Sequence, residues 1–390
     1  MDLVSAALQK RYCDMKIAII GWYGTETIGD RAILSGILSL CKSCFDTIEI
    51  KLGSIYPFFT ERTLLEDESY IRRMLNIDSL PIELFSTRKR QDLNQAVCWS
   101  DILMIGGGPL EDIPSMFMLE YAFSFAKRRH KKCVVLGCGL GPLYKKCYQK
   151  STAHIIDMSD LTILRDETSV KEYERFSHRP HVCLSAVDPS LFCLSFYRAQ
   201  NFSTEKKHHI VASLRSFPHE YKIHKNIDAD YVNGCISELL SKLAVTLELP
   251  VLLCPMHYFK VGDDDRYFLN ELKFLGNNSY EVQNMPLTLE ETMQLVVSAS
   301  HCVGMRFHSV VFQTVLNGQN CILDYTDPDT GKIGNFIRQI GASDFYQERY
   351  CNVQKDKKIP KFSDNAFALS DMYIEQQKKI YTENLSKLTI

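Results

Sequence analysis

Five side chains near the ends of short apolar runs carry the strongest chemical signal: Arg215, His257, Arg306, His308 and Lys332. Arg215 follows the run His209–Leu214. His257 follows Val251–Pro255, Arg306 and His308 follow His301–Gly304, and Lys332 comes after Cys321–Leu323. If these runs are neighbouring strands of one sheet, all five groups gather at one edge. Like charges gather at a cost unless an anion compensates them. The arrangement therefore predicts a ligand bearing phosphate or carboxylate in a crevice beyond the strand ends.

The first half offers backbone amides and one acid. Gly24-Thr25-Glu26-Thr27-Ile28-Gly29-Asp30 has the glycine spacing of a phosphate loop, but Asp30 and Arg31 stand where Lys and Ser/Thr belong, so a Walker loop is not expected. Gly137-Cys138-Gly139-Leu140-Gly141-Pro142 does not read GxGxxG, which weakens a dinucleotide site. Such glycines serve either close approach to a ligand or tight turns, and the sequence leaves both open. Asp30 either caps the following helix or binds or deprotonates a hydroxyl. Asp263-Asp264-Asp265 is consecutive, so its carboxylates diverge; a solvated loop is expected rather than a metal site. Cys41 and Cys44 form a lone CxxC pair inside a helical stretch and are read as ordinary helix cysteines.

The elements that position these groups alternate. Lys16–Ile20, Asp101–Ile105, Cys133–Leu136 and Leu161–Leu164 are apolar runs ending at Gly21, at Gly106-Gly107-Gly108, at Gly137 and at Arg165-Asp166. Helices are expected over Ala32–Leu40 and from Ser169, its N-cap. In the second half they are expected over Ala229–Leu247, Leu289–Ala299, Ser309–Leu316 and Ile333–Ile340. Continuous apolar strands alternating with helices are the pattern of a buried parallel sheet, whose ligand crevice lies beyond the carboxyl ends of the strands. The 390 residues exceed what one core usually holds. We expect two Rossmann-like α/β domains over 15–190 and 205–345, a linker over Asp188–Lys207, and a last helix over Asp364–Leu385 that crosses back onto the first half.

A net charge of -2 argues against a nucleic-acid binder. Fourteen cysteines, mostly inside apolar runs, predict a reducing, cytoplasmic location. The first fourteen residues lack the apolar core of a signal peptide and read as an extension before the first strand. No apolar run approaches the roughly 18–20 residues of a membrane span, although peripheral membrane contact stays compatible with the sequence.

The residues resemble the polysaccharide pyruvyl transferases from about Lys16 to Gly341. The resemblance is carried by Gly21-Trp22-Tyr23-Gly24 with Gly29-Asp30, Gly106-Gly107-Gly108, Gly137 to Pro142, Arg165-Asp166 with Ser169, Asp188, Ser213-Leu214-Arg215, Gly304-Met305-Arg306-Phe307-His308-Ser309, and Tyr325 ahead of Lys332. Thr27 and Arg31 depart from that family's first loop, and the Tyr325–Lys332 segment is longer than usual.

The resemblance implies two domains facing across a cleft, as in GT-B glycosyltransferases. It implies phosphoenolpyruvate as donor, a sugar hydroxyl pair on a glycan or a lipid- or nucleotide-linked precursor as acceptor, and neither cofactor nor metal. On this reading Arg215, Arg306, Lys332, Arg165 and Ser309 bind the donor. Gly24, Asp30, Gly107, Gly108 and His257 line the acceptor side. Histidine titrates near neutral pH, which suits His308 as the acid that protonates the donor's enol carbon, with Arg306 and Asp30 beside it in catalysis. The alternatives are a GT-B-like glycosyltransferase using a nucleotide sugar and an inactive glycan- or phosphate-binding protein.

Overall fold

The computed structural model describes residues 14–177, 182–200, 205, 207–218, 227–259, 262–275, 280–356, 358–362 and 365–389. All but one residue of the N-terminal extension therefore lies outside the described residues.

The first half runs β1 (Asp14–Ile20), α1 (Ile28–Cys44), β2 (Thr47–Ser54), α2 (Pro57–Leu75), β3 (Ile82–Ser86), α3 (Arg90–Trp99), β4 (Ile102–Gly106), β5 (Pro109–Leu110), α4 (Met116–Arg128), β6 (Lys132–Leu140), α5 (Lys146–Asp157), β7 (Leu161–Leu164), α6 (Glu167–Phe176) and β8 (Cys183–Ser185). Its sheet has the order β3-β2-β1-β4-β6-β7-β8, with β5 paired to β6. After α7 (Ser190–Gln200) the second half runs β9 (Lys207–Ser213), α8 (Ala229–Leu247), β10 (Val251–Leu253), α9 (Asp265–Leu275), β11 (Tyr280–Val282), α10 (Leu289–Ser298), β12 (Ala299–Gly304), α11 (Phe307–Leu316), β13 (Asn320–Asp324), α12 (Lys332–Gln339), α13 (Ser343–Tyr346) and β14 (Tyr350–Asn352), followed by α14 (Asp371–Leu385) and a 3-10 helix over Ser386–Thr389. The second sheet is ordered β11-β10-β9-β12-β13-β14.

Every pairing in both sheets is parallel. Each sheet starts in its middle, winds to one edge, then returns and winds to the other. That is the doubly wound Rossmann order, and its switch points lie between β1 and β4 and between β9 and β12. Helices cover both faces, which is why β4 is buried at every residue and reads as an unbroken apolar run.

Three expectations change. The segment read as a linker contains α7, whose Ser190–Leu194 stretch is buried, and α7 packs between α1 and α11. The largest apolar cluster is accordingly continuous across the halves, from Ile17 and Ile33 through Leu191 and Leu194 to Val310 and Val311. Asp166, not Ser169, caps α6: its carboxylate accepts from the Ser169 backbone N–H at 2.7 Å. The last helix begins at Asp371, and Asp364 lies outside the described residues. That helix lies against α1 and α7, with the Tyr381 hydroxyl donating to the Val187 carbonyl at 2.6 Å. Among the described residues no helix is long and apolar enough to cross a membrane.

Candidate active site

Strand register brings the second-half cations together. Ser213 of β9 lies beside Gly304 of β12, so Arg215 and Arg306, each two residues on, leave the sheet side by side at the switch point. Arg306 sits at the N-cap of α11. Its guanidinium grips the buried Asp265 carboxylate, with Nε at 2.8 Å and Nη2 at 2.6 Å, and Nη2 also reaches the Asp263 carbonyl at 2.9 Å. Arg215 is buried, and its Nη2 lies 3.3 Å from the exposed carboxylate of Asp263.

The acidic run is therefore not a solvated loop. Its carboxylates diverge as expected, but each meets a different arginine: Asp263 meets Arg215, Asp264 meets Arg266 at 2.6 Å, and Asp265 meets Arg306. A close fork-like pair of this kind fixes the direction of an arginine. Asp265 also accepts the Met256 and His257 backbone N–H groups at 3.1 Å, so one carboxylate organises both the β10 loop and Arg306. Among the described residues no group of His, Cys, Asp and Glu is placed to hold a metal ion.

Lys332 opens α12, and its ammonium lies 5.9 Å from the centre of the Tyr325 ring; the Arg215 guanidinium lies 5.5 Å from the same ring. Burial raises the Tyr325 phenol, but Lys332, Arg215 and Arg306 together outweigh burial and bring it below its usual value. Burial also pushes the neighbouring Asp324 carboxyl up to about 6, against hydrogen bonds from Thr326 and Tyr350. Ser309 turns inward: its hydroxyl donates to the Arg306 carbonyl at 2.7 Å and accepts from Met305 N–H at 3.2 Å, which ties the strand-to-helix turn together.

His308 projects from the first turn of α11 into the first half. Its Nε2 lies 3.5 Å from Asp188 Oδ2, within ion-pair range, and makes no hydrogen bond among the described residues. Arg165 reaches the same carboxylate, Nη1 to Oδ2 at 3.5 Å, and its guanidinium lies 4.4 Å from the centre of the Phe307 ring. Burial opposes ionisation of Asp188, yet His308 and Arg165 outweigh it and hold the carboxyl down at about 2. Asp30 is the third residue of α1 and not its cap. Burial lifts its carboxyl to about 6; His308 and Arg165 work against that, and the charge of Asp188 adds to it. One ionised acid, one acid poised near neutrality, an imidazole and an arginine thus meet at the seam between the halves. Asp188 was visible only as a motif residue with no role; its partners come from other strand ends, and no local pattern announces them.

Residues of the loop before α1 and of its first turn hold the halves against each other. Thr27 Oγ1 lies 2.6 Å from Nδ1 of the buried His257, and the two residues form an antiparallel bridge. Ile28 N–H donates to the Met256 carbonyl at 3.1 Å. Arg31, a departure from the family pattern, pairs with Asp67 at 2.5 Å and reaches the Leu287 carbonyl of the second half at 3.1 Å. Gly24, Gly107 and Gly108 have positive φ, and a Cβ there would lie 2.5 Å from Ser54 Oγ, 2.1 Å from an Ile33 methyl and 2.1 Å from the Trp22 ring. Their lack of side chain serves internal packing. A cavity of about 30 Å³ lies beside Asp30, lined by Thr25, Glu26, Thr27 and Phe59 among others. That is room for one or two waters. A groove of about 770 Å³ opens instead between α1, α2, α7 and α14 and includes none of the candidate residues.

In fold, the chain is similar to solved sugar-nucleotide enzymes. The UDP-GlcNAc 2-epimerase of Methanocaldococcus jannaschii aligns with a TM-score of 0.56 at 13% identity, over 96% of this chain and 99% of that one. Anabaena Alr3699/HepE, in complex with UDP and glucose, aligns at 0.51 with 10% identity over 96% and 99%. An alpha-glucosyltransferase in complex with UDP and a DNA 13-mer aligns at 0.51 with 8% identity over 96% and 95%. These identities establish the two-domain GT-B architecture alone. No curated protein sequence matches the chain. Residues 28–327, which run from the start of α1 to the loop after β13, match the polysaccharide pyruvyl transferase family, and the chain belongs to that family.

Proposed function

We propose that the protein transfers a pyruvyl group from phosphoenolpyruvate to a pair of hydroxyls on a glycan or glycan precursor, forming a ketal and releasing phosphate. The observation that carries this reading is the division of labour at the facing switch points. Arg215, Arg306 and Lys332 stand on the second-half side, and His308 crosses to Asp30 and Asp188 on the other.

The donor bears a phosphate and a carboxylate, and arginine grips both groups with paired donors. His308 delivers a proton to the enol CH₂, which becomes CH₃ and leaves a cationic C2. One acceptor hydroxyl attacks C2 and passes its proton to Asp30. The C2–O bond to phosphate breaks as the departing phosphate takes the proton from Asp30, and the second hydroxyl closes the ketal, giving its proton back to His308. Arg165 and Asp188 hold the imidazole on the first-half side, and Lys332 stabilises the departing phosphate. The cavity of about 30 Å³ beside Asp30, lined by first-half residues, is too small for a sugar ring, so the acceptor binds after the loop that precedes α1 moves. Loop and domain movements of this kind are common around transferase sites.

The test is phosphate release from phosphoenolpyruvate by the purified chain, against a panel of lipid-linked and nucleotide-linked sugars. Turnover that survives a chelator is expected. The solved neighbours bind UDP or UDP-sugars, which makes a nucleotide-sugar donor the second reading. Consumption of a labelled nucleotide sugar, without phosphate release from phosphoenolpyruvate, would establish that reading instead. Binding of phosphoenolpyruvate without any turnover would mark an inactive binding protein.

A further inference from the structure

Two connections of the second half set a cation over one aromatic ring, and a third sets one close enough to act on it through its charge. Arg215 comes from the turn after β9, Arg306 from the turn after β12, and Lys332 from the first position of α12. The ring is Tyr325, one residue beyond β13. The pairing of Gly304 with Ile322 sets Arg306 level with Asp324, so Tyr325 follows at the same sheet edge. The ring is buried, with 1% of its surface exposed.

Its backbone is pinned on both sides. Gln354 Nε2 donates to the Tyr325 carbonyl at 2.8 Å. The preceding Asp324 accepts from the Thr326 N–H and hydroxyl, both at 2.7 Å, and from the Tyr350 hydroxyl at 2.7 Å. A ring fixed in this way presents a stationary face. Both Arg215, at 5.5 Å, and Lys332, at 5.9 Å, fall within the roughly 6 Å over which an aromatic quadrupole attracts a cation. The titration of the phenol reports the same convergence, because all three cations lower it.

Two cations that repel one another would separate along their flexible stems unless something held them. Asp263 pulls on Arg215 from one side, and the charge of Asp324 draws Lys332. The Tyr325 ring is shared by both. We infer that Tyr325 is the positioning residue of the donor's anion site: its ring face holds the Arg215 guanidinium and the Lys332 ammonium side by side, so that both engage one oxyanion of the ligand. This rests on the donor reading above and names the residue that organises it. The oxyanion is a phosphate or a carboxylate, and separate probes distinguish the two.

The experiment is calorimetry on the full chain with phosphoenolpyruvate, inorganic phosphate and pyruvate, each titrated into wild type, Tyr325→Phe and Tyr325→Leu. Phenylalanine keeps the face and loses the hydroxyl, so Tyr325→Phe should bind within about threefold of wild type. Leucine removes the face, and loss of two cation–π contacts should weaken binding by roughly tenfold or more. The probe that is weakened, phosphate or pyruvate, identifies the oxyanion. Should Tyr325→Leu fail to fold, pentafluorophenylalanine at 325 keeps the ring's shape and reverses its quadrupole, and the same tenfold loss is expected. Equal weakening by Tyr325→Phe and Tyr325→Leu would overturn the proposal in favour of the hydroxyl. Unchanged binding in both would remove Tyr325 from the site. Wild-type binding of phosphate but not phosphoenolpyruvate, still weakened by Tyr325→Leu, would keep the anion site and sink the donor reading. Binding of none of the three probes would sink both.

Discussion

Gly29 and His308 occupy each other's space: a Cβ on Gly29 of α1 would lie 2.0 Å from Nδ1 of the His308 ring on α11. The glycine is needed because an imidazole from the other half fills the place of its side chain. The two motif fragments that contain these residues are thus the two sides of a single contact.

Gly29→Ala should therefore displace His308. We expect a destabilisation of about 1–3 kcal/mol, the usual range for overpacking a well-filled site. The double variant Gly29→Ala/His308→Ala should recover most of that loss, because the clash is removed. Denaturant unfolding of the four proteins measures the coupling, and strictly additive effects would show that the two residues do not meet in solution.

His308→Gln keeps a side chain of similar reach but cannot deliver a proton near neutral pH. Its turnover should fall by about 10²–10⁴-fold while phosphoenolpyruvate still binds. Single-turnover phosphate release together with donor calorimetry separates the two quantities. Near-normal turnover would make His308 a packing residue and leave the seam without its acid.

Asp30 gives a pH signature in stability. Burial first of all raises its carboxyl from 3.8 to about 6. A carboxyl with a folded pKa above its unfolded value binds its proton more tightly in the fold. Its contribution to stability is fully present below about pH 4 and is lost as pH rises to about 6. Asp30→Asn carries no such titration, so wild type should lose stability relative to the variant across that window, by at most about 3 kcal/mol. Asp324 titrates over the same range in both proteins and cancels in the comparison. A constant difference from pH 4 to pH 7 would show that Asp30 titrates at its ordinary value. If Asp30 receives the acceptor's proton, turnover also rises through about pH 6 and Asp30→Asn abolishes that rise.

Asp263 sits where a donor oxyanion would meet Arg215, yet its side chain is 67% exposed. Such a partner contributes little to stability and competes with the ligand. Asp263→Ala should leave the unfolding midpoint nearly unchanged and tighten phosphoenolpyruvate binding by roughly two- to fivefold, the scale of one exposed ion pair. Weaker binding in that variant would mean that Asp263 holds Arg215 in place.

Much of the architecture was legible because its signals are local. An apolar run closed by glycine or arginine needs only a few neighbouring residues to be read, and it marks β1, β4, β6, β7, β9 and β12; β10 and β13 are legible as apolar runs alone. So are the positions of Arg215, Arg306 and His308 just beyond strand ends, since a doubly wound sheet delivers every strand end to one edge; Lys332 instead opens α12, beyond the loop that follows β13. β2 alternates buried and exposed over much of its length, a local signal passed over, whereas β8 and β14 span three residues each and offer no period to detect. The cap of α6 is equally local: Asp166 and Ser169 are both capping residue types, and only the hydrogen bond from Ser169 N–H to Asp166 separates them.

Tertiary structure alone decided which partner each charged group found. Asp263, Asp264 and Asp265 read as a solvated run because adjacency carries no information about Arg215 and Arg306, which reach Asp263 and Asp265 from other strand ends, while Asp264 pairs locally with Arg266. Asp188 became the partner of both His308 and Arg165 only once β8, α11 and β7 had been packed together. The segment read as a linker became the buried helix α7 because its apolar residues fill the space between α1 and α11, a space that exists only after both halves have folded. Periodicity records which face of an element is buried; it does not record what that face meets, and the chemistry at this seam depends on that meeting.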